Sequence, residues 1–148
     1  MQPDTAREKP KVFLVGAGPG DPELLTIKAV KVIAQATVLL VDDLVGGGVL
    51  AYAQPGARQI YVGKRGGCAS TPQRFIEQLM IREACRGERV VRLKGGDPFI
   101  FGRGGEEVER LRAAGLVVEV VSGITAGLAA TTSLCVPWTH RAHAHGVM

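Results

Sequence analysis

Apolar positions along the chain fall into two kinds of run. Short β-branched stretches at 12–15, 37–41, 58–62, 89–93 and 117–121 predict strands. The first is apolar without a break, as a strand buried on both faces requires. Between strands the spacing changes. Leu24, Ile27, Val30 and Ile33 recur at helical intervals and predict a helix over 24–36. A short helix is expected around 49–53. Ser70 followed by Gln73 has the form of a capping box, and Pro72 suits a first turn. The helix they open runs to about Arg86, with Phe75, Ile76, Leu79, Met80 and Ala84 on its inner face. Glu106 and Glu107 start another, whose last turn carries Arg110 and Arg112, the charge order a helix dipole favours. A small-residue helix from about Thr125 to Ser133 follows the last strand, and the remaining CVPWTHRAHAHGVM shows no further element.

Strands alternating with helices specify an α/β fold: a doubly wound, mostly parallel five-stranded sheet with flanking helices. The 148 residues suffice for one domain with a real core, and no linker, repeat or composition shift divides them. The polar, charged 1–10 segment is a tail unlike a signal peptide. The apolar stretch 117–138 is broken by Glu119 and by small hydroxyl residues, which excludes a membrane span. Cys68, Cys85 and Cys135 lie far apart with no CxxC spacing, so neither a zinc ribbon nor a disulfide framework is indicated. They are expected to be packing residues in a reducing cytoplasm. A net charge of +4 allows either nucleic acid or a polyanionic small substrate as partner.

The 20 glycines are about twice the usual share, with no collagen period. Gly56, Gly87 and Gly115 precede strands and are expected to end helices. Most others fall in the loops that follow strands: GAGPGD, DDLVGGG, GKRGG, KGGDPFIFGRGG and SGITAG. Asp21, Asp42, Asp43, Lys64, Arg65, Lys94, Asp97 and Thr125 share that distribution. In an open parallel sheet, ligands bind beyond the carboxyl ends of the strands, so one edge gathers the chemistry.

The first loop, GAGPGD from Gly16 to Asp21, lacks the third glycine of a dinucleotide fingerprint and is not a P-loop. Taken alone, it is equally well a tight strand-to-helix turn capped by Asp21. Asp42, ending the second strand, sits near where dinucleotide-binding folds place a ribose acceptor. The fourth loop says more. In 93–107, five glycines accompany fixed charges, and adjacent Gly95 and Gly96 permit exposed backbone N–H and C=O groups. Such a surface can hold an amino-acid moiety, with Asp97 accepting from its ammonium.

VGAGPGDPELLT and RLKGGDPFIFGRGGEE, supported by VGKR, SGIT and VPWTHR in the same order, resemble the tetrapyrrole methylase family, over about 11–148. The resemblance implies S-adenosyl-L-methionine as methyl donor and S-adenosyl-L-homocysteine as product. It implies C-methylation of uroporphyrinogen III at C2 and C7 to precorrin-2, toward siroheme and cobalamin. Matched position by position, Pro19, Gly95, Gly96, Asp97, Ile100, Thr125 and Ala126 are implied cofactor contacts, Asp42 the general base and Lys64 the general acid. Methylating a pyrrole carbon leaves a cationic ring that must lose a proton, work a carboxylate does and a lysine complements. Arg65, Arg103 and Arg141 are expected counter-charges for a polycarboxylate substrate.

Val41 and Asp43 depart from the family's usual aromatic and basic neighbours of the base, and Asp43 puts a second carboxylate beside Asp42. The resemblance also implies a second α/β domain after the THR segment. Residues 11–135 then form the N-terminal domain and 136–148 open the connection to a second domain absent from the chain. A homodimer is the expected state at full length, with no nucleic-acid or membrane partner. His140, His143 and His145 are not expected to form a metal site, and Trp138 is expected to cap a core edge. Two alternatives remain beside this reading: a non-catalytic cofactor-binding or interaction fragment of the same fold, and a methyltransferase acting on another tetrapyrrole precursor.

Overall fold

The computed structural model describes residues 10–63 and 71–147. Strands β1 (Lys11–Gly16), β2 (Val38–Val41), β3 (Arg58–Tyr61), β4 (Val90–Lys94) and β5 (Val117–Val121) form one sheet in the order β3-β2-β4-β1-β5. Every neighbouring pair is parallel. Side chains alternate across a sheet, so each apolar strand serves two layers. Val12, Leu14, Val38, Leu40 and Val90 pack with Ile76, Leu79 and Met80 of α2 (Gln73–Cys85) and Val108 and Leu111 of α3 (Gly104–Ala113). Phe13, Val15, Leu39, Val41, Val91 and Leu93 form the opposite layer with Ala29, Val32 and Ile33 of α1 (Ile27–Ala34). Each large side chain so buried contributes about 2 kcal/mol of transfer free energy, which makes the central strands the anchor of the molecule.

The five strands and the doubly wound class agree with the sequence; several local details do not. The Thr26 hydroxyl accepts the Ala29 N–H at 3.1 Å, which starts α1 after Leu24. Leu24 instead ends a 3-10 turn, Pro22–Leu24, capped by the Asp21 carboxylate. Along this helix Ala29, Val32 and Ile33 face the sheet, while Ile27 at its first position is 75% exposed. The short helix near Val49 is a 3-10 segment, Gly47–Tyr52. Phe75 lies exposed outside the buried face of α2. Gln73 donates its amide to Glu107 Oε1 at 3.0 Å instead of closing a capping box; Ser70 lies outside the described residues. Gly87 and Gly115 do follow helix ends with positive φ. Gly56, at φ 85°, occupies a Pro-Gly turn closed by Ala57 N–H on Gln54 C=O. Cys85 and Cys135 are exposed, not packed, and Cys68 lies outside the described residues.

The topology positions the site. β1 and β4 are neighbours, yet the chain leaves β1 toward β2 and β4 toward β5, on opposite sides. A crevice opens where connections diverge in this way.

Candidate functional site

The β1 and β4 loops meet at that crevice. Ala17 N–H donates to Lys94 C=O at 2.7 Å, Gly18 N–H to Gly96 C=O at 3.2 Å, and Gly96 N–H to Gly18 C=O at 2.7 Å. Gly96, at φ 63°, turns both backbone groups onto the first loop, and so its N–H is committed there, not offered to a ligand. The loop after β5 closes the third side. A Cβ on Gly16 would lie 2.6 Å from Gly123 N and 2.7 Å from Gly96 O, so only glycine permits this approach. Asp97 ties the same corner, its Oδ2 accepting Gly123 N–H at 3.0 Å and its Oδ1 accepting Phe99 N–H at 2.9 Å. The carboxylate expected to meet an ammonium is therefore first a clamp between two loops.

These loops enclose a cavity of about 360 Å³, within the range of small-molecule sites. Pro19, Gly95, Gly96, Asp97, Ile100, Thr125 and Ala126, all the expected cofactor contacts, line it. Asp42, Leu44, Lys94 and Phe101 complete most of the wall. Thr125 precedes α4 (Ala126–Ser133) without capping it through its side chain, so the helix start faces the cavity. A second cavity, about 500 Å³, adjoins the first and is lined by Asp42, Asp43, Gly63, Arg92, Lys94 and Arg103 among others. A wider recess of about 600 Å³ lies at the opposite end of the sheet, among Pro10, Lys11, Phe13 and Arg89. Its two cations sit over the Phe13 ring, so size alone does not locate the chemistry.

Asp42 belongs to both strand-end cavities. Its N–H donates to Leu93 C=O at 3.2 Å, fixing it at the end of β2 against β4. Oδ1 accepts Asp43 N–H at 2.9 Å, and Oδ2 faces Arg92 Nη2 at 3.3 Å. The carboxylate remains 32% exposed, open to a ligand. Asp43 is exposed and lines only the second cavity.

The expected counter-charges divide. Arg103 lines the second cavity, but its guanidinium grips Glu106, with Nε to Oε1 at 3.0 Å and Nη2 to Oε2 at 2.5 Å. Arg141 lies in the exposed turn closed by His140 and Ala144 and lines neither cavity. Lys64 and Arg65 lie outside the described residues. The His140 ring stacks on His143 with centroids 4.7 Å apart, and among the described residues no three His, Cys, Asp or Glu side chains gather as a metal site. Trp138 lies over Gly127 of α4.

Three groups escaped the sequence reading as a unit: Arg92, Lys94 and Glu107, all buried. Glu107 Oε1 faces Arg92 Nε at 3.3 Å and Oε2 faces Lys94 Nζ at 3.2 Å. The signal was in VVRLK: two cations two residues apart inside an otherwise apolar strand share one face and require a buried anion. Phe101 and Arg103, with φ of 53° and 55°, mark the same loop as held in a conformation non-glycine residues seldom take.

Known proteins resemble this chain in sequence and fold. The sequence profile for tetrapyrrole (corrin/porphyrin) methylases matches residues 11–148. A uroporphyrinogen-III C-methyltransferase of Pseudomonas aeruginosa is 59% identical over 93% of this chain and 56% of its own length. A siroheme synthase of Methylococcus capsulatus is 54% identical over 90% of this chain and 28% of its own length. The chain thus spans little more than half of the first relative and less of the second. A uroporphyrin-III C-methyl transferase of Thermus thermophilus, solved with S-adenosylhomocysteine, superposes with a TM-score of 0.75 at 51% identity, covering 92% of this chain and 53% of that one. On sequence and on fold alike, the chain belongs to the tetrapyrrole methylase family.

Proposed function

We propose that this chain acts in the S-adenosylmethionine-dependent C-methylation of uroporphyrinogen III at C2 and C7, giving precorrin-2. The observation that carries the reading is the place of Asp42, a carboxylate on the shared wall of two cavities at the switch point. One cavity gathers every expected cofactor contact; the other carries Arg92, Lys94 and Arg103 on its wall beside Asp42 and Asp43. The Pseudomonas and Thermus relatives lend support, the first by its name and the second by its S-adenosylhomocysteine complex.

The smaller cavity fits the cofactor in kind. Pro19, Leu44, Ile100 and Ala126 offer apolar walls to an adenosyl group, and the start of α4 offers a positive dipole end to a carboxylate. When bound, the cofactor supplies an electrophilic methyl on its sulfonium. The loops around the smaller cavity would hold the cofactor beside the second cavity, and aligning two reactants in this way supplies much of the rate of such a transfer. Asp42, fixed by its own N–H and by Arg92, accepts the proton the methylated ring must lose. Lys64 follows Gly63 of the second cavity in sequence and takes the proton-donating role on this reading. Arg103 meets substrate carboxylates in exchange for Glu106; Arg65 keeps the same role on this reading, while Arg141, which lines neither cavity, would have to reach the substrate from outside them.

A cytoplasmic location, pairing of two copies and a place in siroheme or cobalamin formation belong to the same proposal. No helix among the described residues is long and apolar enough to cross a membrane. The test is to supply methyl-labelled S-adenosylmethionine and uroporphyrinogen III and look for label in precorrin-2. Labelled precorrin-2 is the expected result. Cofactor bound with no label transferred would replace this reading with that of a binding fragment.

A further inference from the structure

Strand β4 carries two charges into an apolar layer. Arg92 and Lys94 stand two residues apart and leave the sheet on the face of Val90, toward α2 and α3. Both are buried, Lys94 to 4% exposure. Cations buried in this way cost several kcal/mol each unless paired. Their common partner is Glu107 of α3, which is fully buried.

The bonds run in one line. Asp42 Oδ2 meets Arg92 Nη2 at 3.3 Å, and Arg92 Nη1 donates to Leu93 C=O at 3.2 Å. Arg92 Nε meets Glu107 Oε1 at 3.3 Å, and that oxygen also accepts the Gln73 amide at 3.0 Å. Glu107 Oε2 has no hydrogen-bond partner among the described residues; the Lys94 ammonium at 3.2 Å answers its charge. Charges alternate from Asp42 to Lys94 and sum to zero. Both ends of the line stand on the cavity walls.

The order of the line gives each member a consequence. Without Lys94, Glu107 keeps a buried, unanswered oxygen. An arginine fork satisfies a carboxylate best with two parallel N–H groups, so Arg92 would turn onto Glu107 and leave Asp42. We propose that Lys94 is a positioning residue for Asp42: by neutralising Glu107, it leaves the Arg92 guanidinium to hold the Asp42 carboxylate where the two cavities meet.

The titration of Lys94 supports the coupling. Burial pushes its ammonium below the ordinary lysine range and Arg92 pushes the same way, while Glu107 and Asp42 oppose them. The Asp42 charge thus reaches Lys94 from the far end of the line.

The inference rests on the methyl-transfer reading of Asp42, and a variant structure combined with a double-mutant cycle separates the two. In a crystal structure of Lys94→Met, Arg92 should have turned onto Glu107 and lost its contact with Asp42 Oδ2. Turnover should fall about tenfold, and Lys94→Arg should restore both the Arg92–Asp42 contact and turnover. In an Asp42→Asn background, Lys94→Met should cost no further turnover. If Lys94→Met does not fold, Lys94→Gln replaces it, losing the charge but keeping a donor to Glu107. An unmoved Arg92, or the same loss of turnover in both backgrounds, overturns the role of Lys94 and leaves Asp42 as base. Full turnover in Asp42→Asn overturns the base assignment, while a displaced Arg92 would still uphold the coupling.

Discussion

At Gly123 the absence of a side chain decides how closely the loops beside the smaller cavity converge. A Cβ there would run into Gly96 O and close on Gly16, at the point where the loops after β1, β4 and β5 converge. Gly105, by contrast, lies in α3 with open space around its Cα. Gly123→Ala should therefore lose about 1–3 kcal/mol in denaturant unfolding, as overpacked sites do, and weaken S-adenosylhomocysteine binding in calorimetry. Gly105→Ala should gain up to about 1 kcal/mol, through helix propensity, with binding unchanged. Equal effects from the two would contradict the account of the cavity. The clustering of glycine with Asp97 and Thr125 was legible in the sequence because those residue types are rare together outside turns and sites. What each one does was less legible. Asp97, expected to meet an ammonium, also clamps two loops together; Gly96 looked like an open donor and is bonded to Gly18. Both roles depend on partners about eighty residues or about twenty-six residues away in sequence, which local pattern does not carry.

Strands and helices were legible to different depths. An unbroken apolar run such as VFLV leaves little choice, since both faces of β1 are covered. Apolar spacing alone does not say which side of a helix meets the sheet, and in α1 the buried side is that of Ala29, Val32 and Ile33, not Ile27. The two isoleucines of α1 test this directly. Ile33→Ala should cost about 2–5 kcal/mol because it empties a buried site. Ile27→Gln should change unfolding by less than about 0.5 kcal/mol, since its side chain already meets water. A large cost at Ile27 would put the helix in the phase its apolar spacing suggests. The same reasoning explains why the charged face of β4 was overlooked. Arg92 and Lys94 sat inside a strand whose pattern otherwise said core, and their anion came from α3.

The molecule as a whole is a sheet whose order, β3-β2-β4-β1-β5, no local pattern discloses. That order makes β1 and β4 neighbours and so brings GAGPGD against KGGDPFIFGRGG, segments far apart in the chain. Motif resemblance anticipated the residues of the cavity; topology explains why they meet. Family membership follows from the match over residues 11–148, whereas the role of each residue is a matter of chemistry at one sheet edge. The most direct test of that chemistry is a crystal structure of the chain with S-adenosylhomocysteine. The account predicts the ligand in the cavity between the β1, β4 and β5 loops, against Pro19, Gly95, Ile100 and Ala126, with its sulfur turned toward the Asp42 wall. A ligand seated in the recess at the opposite end of the sheet, or none bound at saturating concentration, would contradict it.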